Sequence, residues 1–154
     1  MDSQIEKYIP KGKIYTWKYT ERYGKFEAWN FTLDQDGANS LSDLLDLMKE
    51  SQYPSKKKIA TTYPNRNQLD VPNYLNGKAK WESKPNIVFS FKKYEDENYW
   101  EIKENTSSIE LRFGFAKLRE LKKAIQDIPK GKGDYGIYDA SENNLLMIWW
   151  NLEK

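Results

Sequence analysis

IELRFGFAKLRELKKAIQDIPKGKGDYGIY, residues 109–138, reads as strand, helix, glycine turn, strand. Ile109, Leu111 and Phe113 alternate with Glu110 and Arg112, a period of two that buries one face and wets the other. Beyond Gly114, the apolar residues Phe115, Leu118, Leu121, Ala124, Ile125 and Ile128 fall at steps of three and four, the stripe of a helix. Pro129 stops it, having no N–H to donate and disfavouring helical geometry before it. Gly131 and Gly133 permit the reversal, and Tyr135–Tyr138 returns as a short strand. A strand that returns after a helix needs a sheet, and the helix stripe should cover that sheet.

Upstream, Ile87–Phe91 and Tyr99–Lys103 read as strands, joined by a turn carrying Glu95, Asp96 and Glu97. At the front, Ile14–Thr20 and Phe26–Leu33 are rich in aromatic and β-branched residues and should form a hairpin. Asp34–Gly37 reads as a turn and Ser40 as the N-cap of a helix Leu41–Glu50, with Asp43 reaching back. Ser51–Lys58 closes that helix with Pro54 and a lysine triplet, and Ile59–Tyr63 is a short strand. Residues 64–86 form a long irregular connection, partly ordered by Leu69, Val71, Tyr74 and Trp81; a loop of that length usually carries function or moves. Leu145–Leu152 is apolar on both faces, so it is a strand shielded on both sides, or shielded on one side with a partner on the other.

The expected fold is a single α+β domain spanning 1–154, an antiparallel β-sheet carrying the helices Leu41–Glu50 and Phe115–Ile128. The order of elements suggests two related β-β-α units sharing one core, with no residue-level repeat. The expected core is Trp17, Phe26, Trp29, Phe31, Leu41, Leu44, Leu45, Met48, Phe89, Phe91, Trp100, Ile102, Leu111, Phe113, Leu118, Leu121, Ile125, Ile128, Ile148 and Trp150.

Composition excludes several chemistries. The chain has no cysteine, so thiolate chemistry and disulfides are out, and no histidine, the commonest general base and transition-metal ligand. Net charge is only +2, and 15% of residues are aromatic, six of them Trp and eleven Tyr. The N-terminus lacks the apolar core of a signal peptide, and no run approaches the roughly 18 apolar residues of a membrane span. The cytoplasm is the expected compartment, with no membrane association.

Three patches together look familiar: DGANSLSDLLDLM at 36–48, the LDVPN…KW run between Leu69 and Trp81, and GKGDYGI with IWW between 131 and 150. They resemble a family of uncharacterised bacterial proteins that share a VPN loop, a GKGDY turn after a helix and a tryptophan-rich last strand. That resemblance implies one intact domain of bacterial type and no assigned activity. The order of strands followed by a helix, twice, is also similar to single-strand nucleic-acid binders of the PUR and whirly type, except that short strands follow each helix here.

Candidate sites are few. Gly131-Lys132-Gly133-Asp134 looks like a phosphate loop, but its helix comes before the turn, so the negative helix end faces it; the spacing fits a glycine stop with Lys130 and Lys132 complementing the dipole. Asp34-Gln35-Asp36-Gly37 resembles the start of a calcium loop without the required glycine and glutamate positions. Glu95, Asp96 and Glu97 lie in a solvated turn. Lys56, Lys57 and Lys58, with Lys92 and Lys93, are basic clusters that could track a phosphate backbone, against a near-balanced total charge. Adjacent Trp149 and Trp150 point to opposite sides of a strand, so either both faces are covered or one indole is presented outward.

No catalytic residue, metal ligand or cofactor is expected. The first reading is a non-enzymatic protein that binds another protein, of immunity- or antitoxin-like kind. The second is a single-stranded nucleic-acid binder using aromatic stacking and lysines. The third is a carboxylate-based enzyme or carbohydrate binder. The candidate binding residues are Trp149, Tyr135, Tyr138, Lys132, Lys56, Lys57, Lys58 and Trp81.

Overall fold

The first strand pair has the expected partners: Ile14 lies opposite Leu33 and Trp17 opposite Asn30 in an antiparallel ladder. The structure is a computed structural model that describes residues 3–20, 28–70 and 80–150. In chain order the elements are α1 (Ser3–Lys7), β1 (Ile14–Tyr19), β2 (Trp29–Leu33), α2 (Gln35–Glu50), β3 (Ser55–Ala60), α3 (Arg66–Asp70), β4 (Trp81–Glu82), β5 (Asn86–Phe91), β6 (Trp100–Glu104), β7 (Ser108–Phe113), α4 (Phe115–Asp127) with a 3-10 turn at Ile128–Lys130, β8 (Tyr135–Ile137) and β9 (Leu146–Ile148).

The α+β class stands, but the strands form two mixed sheets rather than one antiparallel sheet. The first sheet runs β4-β1-β2-β9-β8 and the second β3-β5-β7-β6. In each, a parallel pair sits at the centre, β2 with β9 and β5 with β7. Chain crossing is the cause. The hairpin that follows each helix leaves its own sheet and inserts beside the other half's second strand, so β3-β5 joins β7 and β8-β9 joins β2. Setting β4 aside, each half is a β-β-α-β-β unit whose last hairpin is exchanged, which extends the expected β-β-α units.

A residue-level correspondence lies beneath that order. β2 ends at Leu33 and β7 at Phe113; α2 begins at Gln35 and α4 at Phe115, each pair eighty positions apart. Ala38, Leu41, Leu44, Leu45 and Met48 recur at that offset as Leu118, Leu121, Ala124, Ile125 and Ile128, and every one is buried. The entry to each helix repeats a backbone bond as well: Asp34 N–H donates to the Lys13 carbonyl at 3.1 Å and Gly114 N–H to the Tyr99 carbonyl at 2.8 Å. The apolar spacing repeats while the side chains change, so no letter-by-letter match is visible.

One apolar core joins both helix stripes to the inner faces of both sheets, including Phe31, Leu33, Ile87, Phe89, Leu111, Phe113 and Ile148. A second, smaller cluster lies on the far face of the first sheet: Tyr15, Trp17 and Trp149, flanked by Tyr19, Leu69, Trp81, Met147 and Trp150. Trp17 is therefore buried outside the main core, and Trp150 is half-buried against this second cluster rather than part of the main interior. Trp149 and Trp150 lie beyond β9, whose three residues send Leu146 and Ile148 inward and Met147 to the far face. Ile102 is half-buried against the main core, and Phe26, Val71 and Tyr74 lie outside the described residues.

α2 starts six residues before the expected Leu41. Its N-cap is Asp34, whose Oδ1 accepts from Gly37 N–H at 2.7 Å and also from Lys13 N–H at 2.9 Å. Gly37 belongs there because a side chain would collide with the Lys13 carbonyl. Ser40 is a buried residue inside the helix, its hydroxyl accepting from Lys11 N–H at 2.7 Å. The lysine triplet lies in strand β3 rather than in a helix-closing turn, and the expected strand Ile59–Tyr63 is displaced to Ser55–Ala60. The long connection holds α3 and β4, and β4 pairs Trp81 with Tyr19 and Glu82 with Lys18 along the edge of β1.

Candidate functional site

Alternation along β3, β5, β7 and β6 sends one set of side chains into the core and the other to the outer face of the second sheet. Strand register aligns that outer set in two rows. Lys56, Ser90, Arg112 and Glu101 form one, and Lys58, Val88, Glu110 and Lys103 the next. Lys92 continues the alternation just past β5. The face therefore carries Lys56, Lys58, Lys92, Lys103 and Arg112 against Glu101 and Glu110, an excess of three positive charges where the whole chain has a net +2.

Arg112 organises the centre. Its Nε donates to Glu110 at 2.8 Å and its Nη1 to Glu101 at 3.0 Å, while Lys56 Nζ stands 3.8 Å from Glu110. Burial alone would raise the pKa of the Glu110 carboxyl; the Arg112 bond and charge, with Lys56 and Lys92, outweigh it and hold the group below the usual carboxylate range. The Glu110 bond raises the Arg112 guanidinium above its ordinary value. Both charges are thus fixed, and the floor between the cations is small and buried, made of Val88 and Ser90.

The equivalent face of the first sheet is built differently. In the positions of Lys103, Glu110 and Val88 stand Trp17, Asn30 and Met147. This face is covered by the chain itself, with Leu69 and Trp81 from the 64–86 connection packed on Trp17, Tyr15 and Trp149. The Tyr19 hydroxyl donates to the Leu69 carbonyl at 2.5 Å, and Tyr63 meets the Trp81 ring edge-on at 6.2 Å. Trp149, only 9% exposed, donates its indole N–H to Asn30 Oδ1 at 2.8 Å.

The candidate residues thus fall in three places. Lys56 and Lys58 are exposed on the outer face of the second sheet, whereas Lys57 points the other way and donates to the Glu6 carbonyl at 2.9 Å. Trp81 and Trp149 share the covered aromatic cluster. Tyr135, Tyr138 and Lys132 lie around the turn after α4. There Gly131 adopts φ 80°, Lys132 N–H donates to the Asp127 carbonyl at 3.2 Å, and Tyr135 donates its hydroxyl to Asp127 Oδ2 at 3.1 Å. That turn is the glycine stop. Tyr138 is 44% exposed, and its carbonyl accepts from Lys117 Nζ at 2.8 Å. Arg112, Glu110, Glu101 and Lys103 were readable as the wet positions of their strands, but only register places them beside Lys56 and Lys58.

Clefts among the described residues include two with charged walls. One of about 570 Å³ runs between the helices, with Asp43 and Asp46 on one wall and Lys122 and Lys130 on the other; Lys122 bonds Asp46, so the acids do not form a free carboxylate pair. The other, about 210 Å³, lies between β6 and the start of β2; there Lys18 sits 5.4 Å over the Trp29 ring and bonds Glu104 at 2.9 Å. Among the described residues no group of three or more His, Cys, Asp or Glu side chains is placed to hold a metal ion, and no helix is long and apolar enough to cross a membrane. No protein-family profile, no curated protein and no solved structure matches this chain.

Proposed function

We propose that this chain is a non-enzymatic protein-binding module of inhibitor type, immunity- or antitoxin-like, acting in the cytoplasm. One observation carries the reading: two equivalent sheet faces in one molecule, the first aromatic and covered by the chain's own connection, the second a grid of both charge signs with Lys56, Lys58 and Lys103 exposed. Mixed-sign grids of this kind favour protein surfaces, where complementary charges set partner choice and register. Affinity capture on the full chain from lysate of the producing cell, with mass spectrometry, should recover a partner in stoichiometric amount. Recovery of none rejects the reading.

Single-stranded nucleic acid is the second reading, favoured by the local excess of cations. Stacking platforms on that face are scarce among the described residues: Trp17, Trp81 and Trp149 belong to the opposite sheet, and Tyr99, at the margin of the grid, has its hydroxyl bonded to Glu101 at 3.3 Å. Oligonucleotide titration at low salt discriminates between them, since phosphate binding would weaken steeply with salt.

A further inference from the structure

Building on the protein-binding reading, we infer that the outer face of the second sheet is the docking surface, and that its partner presents a mainly acidic surface with some basic groups. The first argument is position. The chain shows what its scaffold does with such a face: on the first sheet a segment lies down over it, contributing Leu69 and Trp81. The corresponding connection in the second half is only the short link between β8 and β9, residues 138–145. That link turns back to its own edge strand instead, where Asn144 Oδ1 accepts from Ile102 N–H at 3.1 Å and the Asn144 carbonyl from Trp100 Nε1 at 2.7 Å.

The second argument is charge. Lys58 and Lys103 are exposed at the two margins of one row, with Lys56 and Lys92 beside them, and together they call for carboxylates. Glu101 and Glu110 are held in place by Arg112 and cannot swing away to admit phosphates. A uniform polyanion would meet two fixed negative groups in the middle of its site. A protein surface that sets a lysine or arginine against Glu101, among acids, meets none. A second copy of this chain would oppose an excess of three positive charges with the same excess, which disfavours self-association through this face.

The test is an NMR titration of the isotopically labelled full-length chain with two probes: an aspartate- and glutamate-rich peptide containing occasional lysines, and a thymidine oligonucleotide of similar net charge. The expected result is perturbation centred on Lys58, Ser90, Lys103 and Arg112 by the peptide, weaker for the oligonucleotide. It should fade as salt shortens the screening length from roughly 30 Å at 0.01 M to about 8 Å at 0.15 M. Lys58→Glu with Lys103→Glu should weaken peptide binding by about tenfold or more, and Lys58→Gln with Lys103→Gln by less; both pairs are surface changes whose folding circular dichroism verifies. Absence of any shift on this face, or equal peptide binding by the charge-reversed chain, overturns the assignment. Stronger binding of the oligonucleotide overturns it together with the protein-binding reading. A captured protein whose footprint, by hydrogen exchange, lies elsewhere overturns the assignment alone.

Discussion

Trp149 donates its indole N–H to the side-chain oxygen of Asn30 at 2.8 Å, a buried bond between residues 119 positions apart. Asn30 also donates its amide to the Trp17 carbonyl at 3.2 Å, so one side chain ties β1 to the segment after β9. Replacing Asn30 by Ala leaves a buried indole donor and a carbonyl without that partner. The expected cost is about 1–3 kcal/mol, read by urea denaturation, with tryptophan emission shifting as the second cluster loosens.

Glu110 supplies a pH signature. Its folded-state pKa is depressed by Arg112 and the nearby lysines acting against burial. The stability it contributes is present above its unfolded pKa, about 4.3, and is lost as pH falls through the lower folded value. Glu110→Gln should therefore cost about 1–3 kcal/mol at neutral pH. The gap from the parent should close in acid, as stability curves measured from neutral pH down to strong acid would show.

Tyr135 gives the opposite sign at the other end of the scale. Burial first, and then its hydrogen bond to the Asp127 carboxylate, push the phenol up to about 12. A raised pKa contributes stability below the unfolded value, about 10, that disappears as pH rises through the folded one. Tyrosinate absorbance should show a late-titrating tyrosine that is lost in Tyr135→Phe. That variant should lose roughly 0.5–1.5 kcal/mol at neutral pH and show a flatter alkaline limb.

Two glycines separate steric from conformational need. A methyl group on Gly114 would run into the Asp96 and Glu97 carbonyls although its own φ of −84° is ordinary. Gly131 has open space around it but φ 80°. Gly114→Ala should destabilise by about 1–3 kcal/mol because backbone must move. Gly131→Ala should lose only about 1 kcal/mol, the ordinary cost of a left-handed non-glycine residue. Equal losses in thermal melts would refute the distinction.

Asp34 and Ser40 form the last pair. Asp34→Ala removes the cap of α2 together with its bond to Lys13 N–H, and about 0.5–2 kcal/mol should follow. Ser40→Ala leaves the cap intact and removes instead the hydroxyl that accepts from Lys11 N–H and meets the Tyr8 hydroxyl, while the Tyr8 bond to the Ser40 carbonyl remains. Amide exchange should therefore quicken in the first turn of α2 for the Asp34 variant and around residues 5–11 for the Ser40 variant.

That pair also marks where sequence reading reached its limit. Apolar spacing located both helix stripes, the strands around Phe31, Phe89 and Leu111, and the glycine stop at Gly131, because each depends on neighbours within a few positions. Asp34-Gln35-Asp36-Gly37 looked like a turn since glycine and aspartate favour one. Its helical state depends on Lys13, whose carbonyl crowds Gly37 and whose N–H meets Asp34. The lysine triplet reads as a helix exit because its strand partners, Val88 and Ser90, lie some thirty residues away. The charged grid was out of reach for the same reason: Lys103 meets Glu110 across the local β6-β7 pair, but Lys58 joins that row only once β5 has entered between β3 and β7.

Exchange of the two trailing hairpins has a consequence for synthesis. β2 sits between β1 and β9, and Trp29 pairs with Leu146. A ribosome emits the chain from its front end, so β2 waits for one of its two lateral neighbours until β9, whose Leu146 pairs with Trp29, has emerged long after it. Its open edge meanwhile offers a template to stray strands, the hazard that chaperones exist to contain. Closure of the first sheet is therefore deferred until β9 is made, and premature termination even a few codons before Leu146 removes the strand that completes it.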